Sequence, residues 1–384
     1  MSPAAIQALP VVLAALVATA LVSFLLTPLT IRYARQLGAI DEPDAARRVH
    51  RRPIPRTGGL AVAASFVGVG LAGLAINAAF QLAPPLRTVR TPELIALFAG
   101  VATGALIGYL DDRFQLKARW QFIGQFVLAG IALLGSIRID RLPNPLGEVG
   151  FPLTEWAAIA ATTLWIVGML NSVNFIDGLD GLLTGIAFIA VTVLGVISLV
   201  DQPISPAVAV MCALLAGSLL GFLPYNFHPA RVFIGTAGVL AVGYALALLS
   251  VLGTAKVAVA LLVLGIPIID TFWIIIRRVG ARRSPFSPDR GHFHHKLLDL
   301  GLSHRQAVLL IYALCAVLAV LSLALSGRGQ ISAFLVIVIG GGLVLYLLTR
   351  RSREALDRET YEESGTAADQ ISDQGDQGGS KGAE

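Results

Sequence analysis

In the stretch NSVNFIDGLDGL, the polar residues Asn171, Asn174, Asp177 and Asp180 recur three residues apart. A second acidic group, the pair Asp111 and Asp112, closes the stretch GYLDDRF. Carboxylates gathered in one place repel one another, which raises some of their pKa values unless a cation offsets the charge. Oxygen donors of this kind, carboxylate and carboxamide, suit a hard divalent ion such as Mg²⁺, with Mn²⁺ as the substitute; Mg²⁺ keeps several waters and also binds substrate phosphates. The chemistry indicated is phosphoryl transfer, in which a metal neutralises charge and the protein positions groups. A third cluster, DRGHFHHKL, brings together Asp289, Arg290, His292, His294, His295 and Lys296 as donors to phosphate or sugar oxygens. A zinc site there would lack any nearby cysteine and has poor ligand spacing.

The elements that must carry these groups are apolar. The 384 residues are 55% hydrophobic and 14% charged, with a mean hydropathy of +0.75, too few charges to cover a water-soluble domain. Eleven apolar segments are long enough to cross a hydrocarbon core of about 30 Å as helices: 5–28, 59–80, 92–110, 120–137, 154–170, 179–200, 204–222, 236–252, 257–276, 307–325 and 331–349. The expected fold is therefore all-α, a polytopic integral membrane protein of about eleven transmembrane helices over residues 1–349. The first segment has no preceding basic cluster and no small-residue cleavage site, so it reads as a retained helix with the N-terminus outside. Of the 29 Lys and Arg residues, all but Arg87, Arg90, Arg138, Arg141, Lys256 and Arg328 then lie on the side of the C-terminus, which makes that side cytoplasmic. Every chemically suggestive stretch falls on it as well. Residues 350–384, rich in Gly, Ser, Asp, Gln and Glu, read as a disordered cytoplasmic tail.

On a helix, each step of three residues drifts back by about 60°, so Asn171 and Asp180 would face opposite ways. They can share a ligand only if the helix ends between them, and Gly178 and Gly181 supply that freedom. A transporter would instead place its polar groups near helix midpoints and on both sides of the membrane. Asp270, in GIPIIDTFW, is the main acid inside an apolar segment, and either lines the site or pairs with Arg277. Cys212 and Cys315 lie in apolar segments and read as inert thiols. GVGLAG, Gly68 to Gly73, matches a dinucleotide fingerprint in letters only, since it has no preceding strand; close helix packing is the better reading.

The ensemble HRRPIPRTGGL, the DD after the third segment, NFIDGLDGL, PYNFHPARVFIG and GHFHHKL resembles the polyprenyl-phosphate N-acetylhexosamine-1-phosphate transferase family, over roughly residues 10–349. The form of the last motif is more similar to the branch that uses simple UDP-N-acetylhexosamines. The resemblance implies that undecaprenyl phosphate attacks the β-phosphorus of a UDP-amino sugar at the inner membrane of the cell, UDP-GlcNAc being the expected donor, with UMP released. By carry-over, Asp111 and Asp112 would orient or deprotonate the lipid phosphate and help hold Mg²⁺. Asn174 would offer its carboxamide oxygen to the metal, and Asp177 and Asp180 would shape the nucleotide side. Asn171, Arg290, His292, His294, His295 and Lys296 would contact substrate. The partners implied are the two substrates and the bilayer, with no nucleic acid; a homodimer is compatible with the family.

One position departs. Where the family shows Phe-Met-Gly-Asp-Ser-Gly-Ser, this chain reads FIGTAGV, with Thr236 at the metal-ligating Asp and Val239 at the last Ser. A neutral hydroxyl is a weaker ligand than a carboxylate. Three outcomes stay open: an active enzyme that needs more Mg²⁺, a slow or altered-specificity member, or a silent homologue that binds substrate or a partner.

Overall fold

The computed structural model describes residues 2–41, 53–81, 89–142, 150–201, 204–252, 256–265, 268–270, 278, 293–325 and 329–343. In order these form α1 (Pro3–Leu37), β1 (Ile40–Asp41), β2 (Ile54–Pro55), α2 (Gly58–Phe80), α3 (Thr91–Phe114), α4 (Ala118–Leu134), β3 (Arg141–Leu142), β4 (Phe151–Pro152), α5 (Glu155–Ile176), α6 (Leu182–Val200), α7 (Pro206–Asn226), α8 (Gly235–Leu252), α9 (Lys256–Val263), α10 (Phe293–Asp299), α11 (His304–Ala324) and α12 (Gly329–Leu343). Eight of the helices, α1 to α3, α5 to α8 and α11, are long and apolar enough to span a membrane, and α4 and α12 are shorter apolar helices. The chain is thus a helical, multi-pass membrane protein. It divides into two compact units, Met1–Leu335 and Val336–Glu384, and the expected tail of the second lies outside the described residues.

Two helices outrun the apolar segments that announce them. α1 continues through the amphipathic TIRYARQL to Leu37, because Arg, Ala, Gln and Leu are good helix formers once past the hydrocarbon. It stops at Gly38, whose left-handed φ of 68° lets its N–H close on the carbonyls of Ala34 and Arg35. α5 extends to Ile176, so Asn171 and Asn174 occupy its last turns and only Asp177 to Gly181 form the break before α6. The helix end expected in this stretch is present, six residues later than the apolar run suggests.

α1 packs chiefly on α7, and α3 on α8. α7 and α8 are almost wholly enclosed, whereas Leu13, Val17, Leu21 and Leu25 of α1 and Val317 and Val320 of α11 are exposed. Apolar side chains displayed in this way match a hydrocarbon solvent. Cys212 and Cys315 are both buried and form no disulfide, as expected. The GVGLAG stretch lies within α2, where a Cβ on Gly70 would meet the Phe98 ring at 2.4 Å.

α8 is approached closely from two sides by small residues. A Cβ on Gly59 of α2 would lie 2.0 Å from the backbone nitrogen of Gly238, and one on Gly108 of α3 would lie 2.3 Å from the carbonyl oxygen of Thr236. Both obstacles are backbone, so neither can rotate away. Gly59→Ala is expected to destabilise the protein by about 1–3 kcal/mol through overpacking, read as a lower thermal midpoint of the detergent-solubilised protein.

Candidate active site

Helix ends of the polar motifs are tied together by main-chain hydrogen bonds. The segment after β2 runs beside the segment before α8: Phe233 N–H donates to the Pro55 carbonyl (2.8 Å), Gly58 N–H to Phe233 (3.1 Å) and Gly59 N–H to Ile234 (2.8 Å). Arg56 N–H donates to the Ala39 carbonyl at 3.0 Å, Thr57 Oγ1–H to Thr30 at 3.0 Å, and Tyr109 O–H to Leu37 at 2.9 Å. The end of α1, the start of α2, the end of α3 and the start of α8 therefore share one end of the bundle.

Asp112, at the end of α3, fixes α8. Its Oδ1 accepts from Thr236 N–H (3.0 Å) and its Oδ2 from Ala237 N–H (3.1 Å), two of the amides that a helix N-terminus leaves unpaired. Gly235 is required at this junction: its φ is 65°, and a Cβ would fall 2.6 Å from Asp112 Oδ2. The adjacent Asp111 turns the other way. Its Oδ1 accepts from Leu116 N–H (3.0 Å) and from Gln121 Nε2 (2.9 Å), which leaves Oδ2 unengaged among the described residues.

Beside Asp111 lies a cavity of about 310 Å³. Its polar wall includes Arg56, Asp111, Gln121, Gln125, Asn174 and Thr236, over an apolar floor of Ile107, Val239 and Leu240. Asp112 is buried behind this wall and does not line it. Asn171 is spent between helices: its Nδ2 donates to Gln125 Oε1 and to the Val167 carbonyl, both at 2.7 Å.

Asp177 caps the end of α5 and is exposed at the edge of the site. Crowding by protein pushes its carboxyl up to about 7; Arg56 opposes this, and the charges of Asp112 and Asp180 add to it. Water reaching the exposed residue screens part of that push. Asp180 belongs to a separate network. Its Oδ2 accepts from Ala230 N–H (3.1 Å) and lies 2.8 Å from His228 Nδ1, while its own N–H donates to His304 Nε2 (2.9 Å). The rings of His228 and His304 stack with centroids 4.2 Å apart. Asp180, His228 and His304 are close enough to chelate an ion. The His304 Nε2 lone pair and Asp180 Oδ2 are already used internally, however, so the trio is a clamp that joins the α5–α6 turn to the start of α11.

Residues 94–254 match glycosyl transferase family 4. Over 335 residues, 85% of this chain and 89% of the relative, the sequence is 34% identical to the probable undecaprenyl-phosphate N-acetylglucosaminyl 1-phosphate transferase of Bacillus subtilis. The chain belongs to glycosyl transferase family 4. It is 35% identical to the decaprenyl-phosphate N-acetylglucosaminephosphotransferase of Mycolicibacterium smegmatis over 314 residues, covering 74% of this chain and 75% of the relative. It is 30% identical to the undecaprenyl-phosphate alpha-N-acetylglucosaminyl 1-phosphate transferase of Thermotoga maritima over 277 residues, covering 72% and 78%. Membership of family 4 makes the chain a phosphotransferase of the sugar-1-phosphate type.

Of the family 4 residues expected from sequence, Asp111, Asn174 and Thr236 meet on one cavity. Asp112 stands behind it as the anchor of α8, and Asp180 sits in the histidine clamp. Arg290 and His292 lie outside the described residues; His294, His295 and Lys296 fall on α10. Asp270 is buried, while Arg277 lies outside the described residues. Sequence reasoning missed Gln121 and Gln125, although a polar pair four apart in the apolar RWQFIGQFV is a helical-face signal. It also missed the pairing of His228 with His304, which nothing local announces.

Proposed function

We propose that this chain transfers GlcNAc-1-phosphate from UDP-GlcNAc to undecaprenyl phosphate at the cytoplasmic face of the inner membrane, as an early membrane step of an envelope glycopolymer. The observation that carries this reading is a polar cavity with an uncommitted carboxylate oxygen, built where membrane helices end. There a prenyl chain held in the bilayer and a water-soluble nucleotide can meet. The excess of Lys and Arg on this side supports the cytoplasmic orientation and the eleven-span count with an outer N-terminus.

An oxygen of the lipid phosphate attacks the β-phosphorus of the donor, the bond from that phosphorus to the bridging oxygen breaks, and UMP leaves with the electron pair. Asp111 Oδ2 orients the attacking phosphate and takes its proton when it carries one. Asp112 is a positioning residue: by holding the start of α8 it sets Thr236 at the cavity wall. Asp180, through the clamp, fixes the turn that presents Asp177.

The donor set fits a hard cation. Asp111 Oδ2 and the Asn174 carboxamide are oxygen donors on the cavity wall without a partner among the described residues; Thr236 lines the same wall with its hydroxyl hydrogen-bonded to Asp112, and Asp177 stands outside the lining, close enough to feel the charge of Arg56. These residues would hold Mg²⁺, which supplies charge neutralisation at the diphosphate. A proton on Asp177 competes with that ion. Because this carboxyl is shifted upward, the half-saturating Mg²⁺ concentration is expected to rise as pH falls, beginning above the ordinary carboxylate range, measured as Mg²⁺ titrations of activity across pH. A requirement that stays flat down to the ordinary carboxylate range would remove Asp177 from the metal's surroundings.

The direct test is UMP release and lipid-linked product formation by the purified protein with UDP-GlcNAc and undecaprenyl phosphate across a Mg²⁺ titration. Turnover of both substrates is the expected result. Absence of product with every UDP-amino sugar offered would sink the reading.

A further inference from the structure

We propose that Arg56 is a phosphate-binding group of the cavity, a role that the family comparisons do not assign to it. The inference deepens the transferase reading above and rests on it.

The geometry leaves one N–H of this guanidinium without a hydrogen-bond partner, although the carboxylates of Asp112 and Asp177 are near enough to feel its charge. Its side chain is 35% exposed and lines the cavity with Asp111, Asn174 and Thr236, yet its Nε is closed off from solvent and has no hydrogen-bond partner among the described residues. A buried N–H of a charged group left unpaired is costly, and a ligand that engages the exposed part of the guanidinium and draws it into the cavity would relieve that cost. The nearest acid does not serve. Asp112 Oδ1 is 3.8 Å from Arg56 Nε, beyond the roughly 2.7–2.9 Å of a charge-assisted hydrogen bond. Both Asp112 oxygens already accept from the α8 amides.

Arg56 is also held in advance. Its N–H is bonded to Ala39, and its neighbours Pro55 and Gly58 are bonded to Phe233, so the side chain leaves a main chain fixed on both flanks. Thr236 completes the argument. An acid at that position would share the cavity with Arg56 and neutralise part of its charge, whereas the hydroxyl in this chain leaves the charge for an incoming ligand. A planar guanidinium with several N–H donors matches phosphate oxygens. The phosphate can belong to the nucleotide sugar or to the prenyl phosphate, and the two are separable by experiment.

The test measures binding of UDP and of undecaprenyl phosphate, each alone with Mg²⁺, to full-length wild type, Arg56→Lys and Arg56→Gln, with thermal midpoints in parallel. Arg56→Gln is expected to weaken one of the two by about tenfold or more, with Arg56→Lys between it and wild type and the midpoints unchanged. Loss on UDP assigns Arg56 to the donor diphosphate; loss on the lipid assigns it to the acceptor. Affinities for both within about twofold of wild type overturn the proposal, as does an equal loss on both that tracks a lowered midpoint. A wild type that binds UDP but forms no product would remove the transferase reading and still let Arg56 be judged. A wild type that binds neither anion would remove both.

Discussion

Asp111→Asn is expected to cut sugar-1-phosphate transfer by about 100-fold or more while leaving the thermal midpoint near that of wild type. The reason is a division of labour within one carboxylate. Oδ1 accepts from Leu116 N–H and Gln121, and an asparagine carbonyl can keep both bonds, so the turn between α3 and α4 survives. Oδ2 has no partner among the described residues, and an amide in its place neither takes a proton nor carries charge. Asp112→Asn should behave differently. Whichever way its amide turns, an NH₂ group meets one of the two α8 amides, at a cost of about 1–3 kcal/mol. Activity and stability should then fall together. Steady-state turnover and thermal unfolding of the two variants decide between these patterns, and full activity in Asp111→Asn would end its assigned role.

The second large effect is a gain. Thr236→Asp places an acid on the wall of the cavity that Asp111 also lines and is expected to lower the half-saturating Mg²⁺ concentration by about tenfold, equivalent to about 1.4 kcal/mol of binding. Without the ion the added charge stands near Asp111, Asp112 and Asp177, so the metal-free variant should melt below wild type and recover when Mg²⁺ is added. Mg²⁺ titrations of turnover and of the thermal midpoint read both halves. If wild type forms no product and Thr236→Asp does, the chain is a transferase that has lost its chemistry and kept its binding site. An unchanged Mg²⁺ requirement would mean that position 236 does not touch the ion.

Much of the molecule is legible in the order of its residues. Apolar runs mark the membrane helices, because a backbone in hydrocarbon must satisfy its own hydrogen bonds and a helix does so locally. The expectation that the polar motifs face the cytoplasm comes from counting Lys and Arg, which is also local. Helix ends are less so: α1 and α5 outlast their apolar runs because helix propensity, unlike hydropathy, does not stop at the membrane edge. The motif set is enough to identify the family, and it marks Thr236 as the residue that departs from it.

The sequence by itself thus determined the class of the fold, the family and the oxygen-rich character of the polar motifs. Only the tertiary structure decided what each carboxylate does. Asp111 and Asp112 are neighbours of identical type, and their separation into a cavity group and a helix anchor depends on α8 arriving beside α3, more than a hundred residues later in the chain. Asn171 is drawn away to Gln125, Asp180 to His228 and His304, and Arg56 into the cavity for the same reason. Burial and hydrogen-bond partners are set by elements distant in sequence, and no local spacing encodes them.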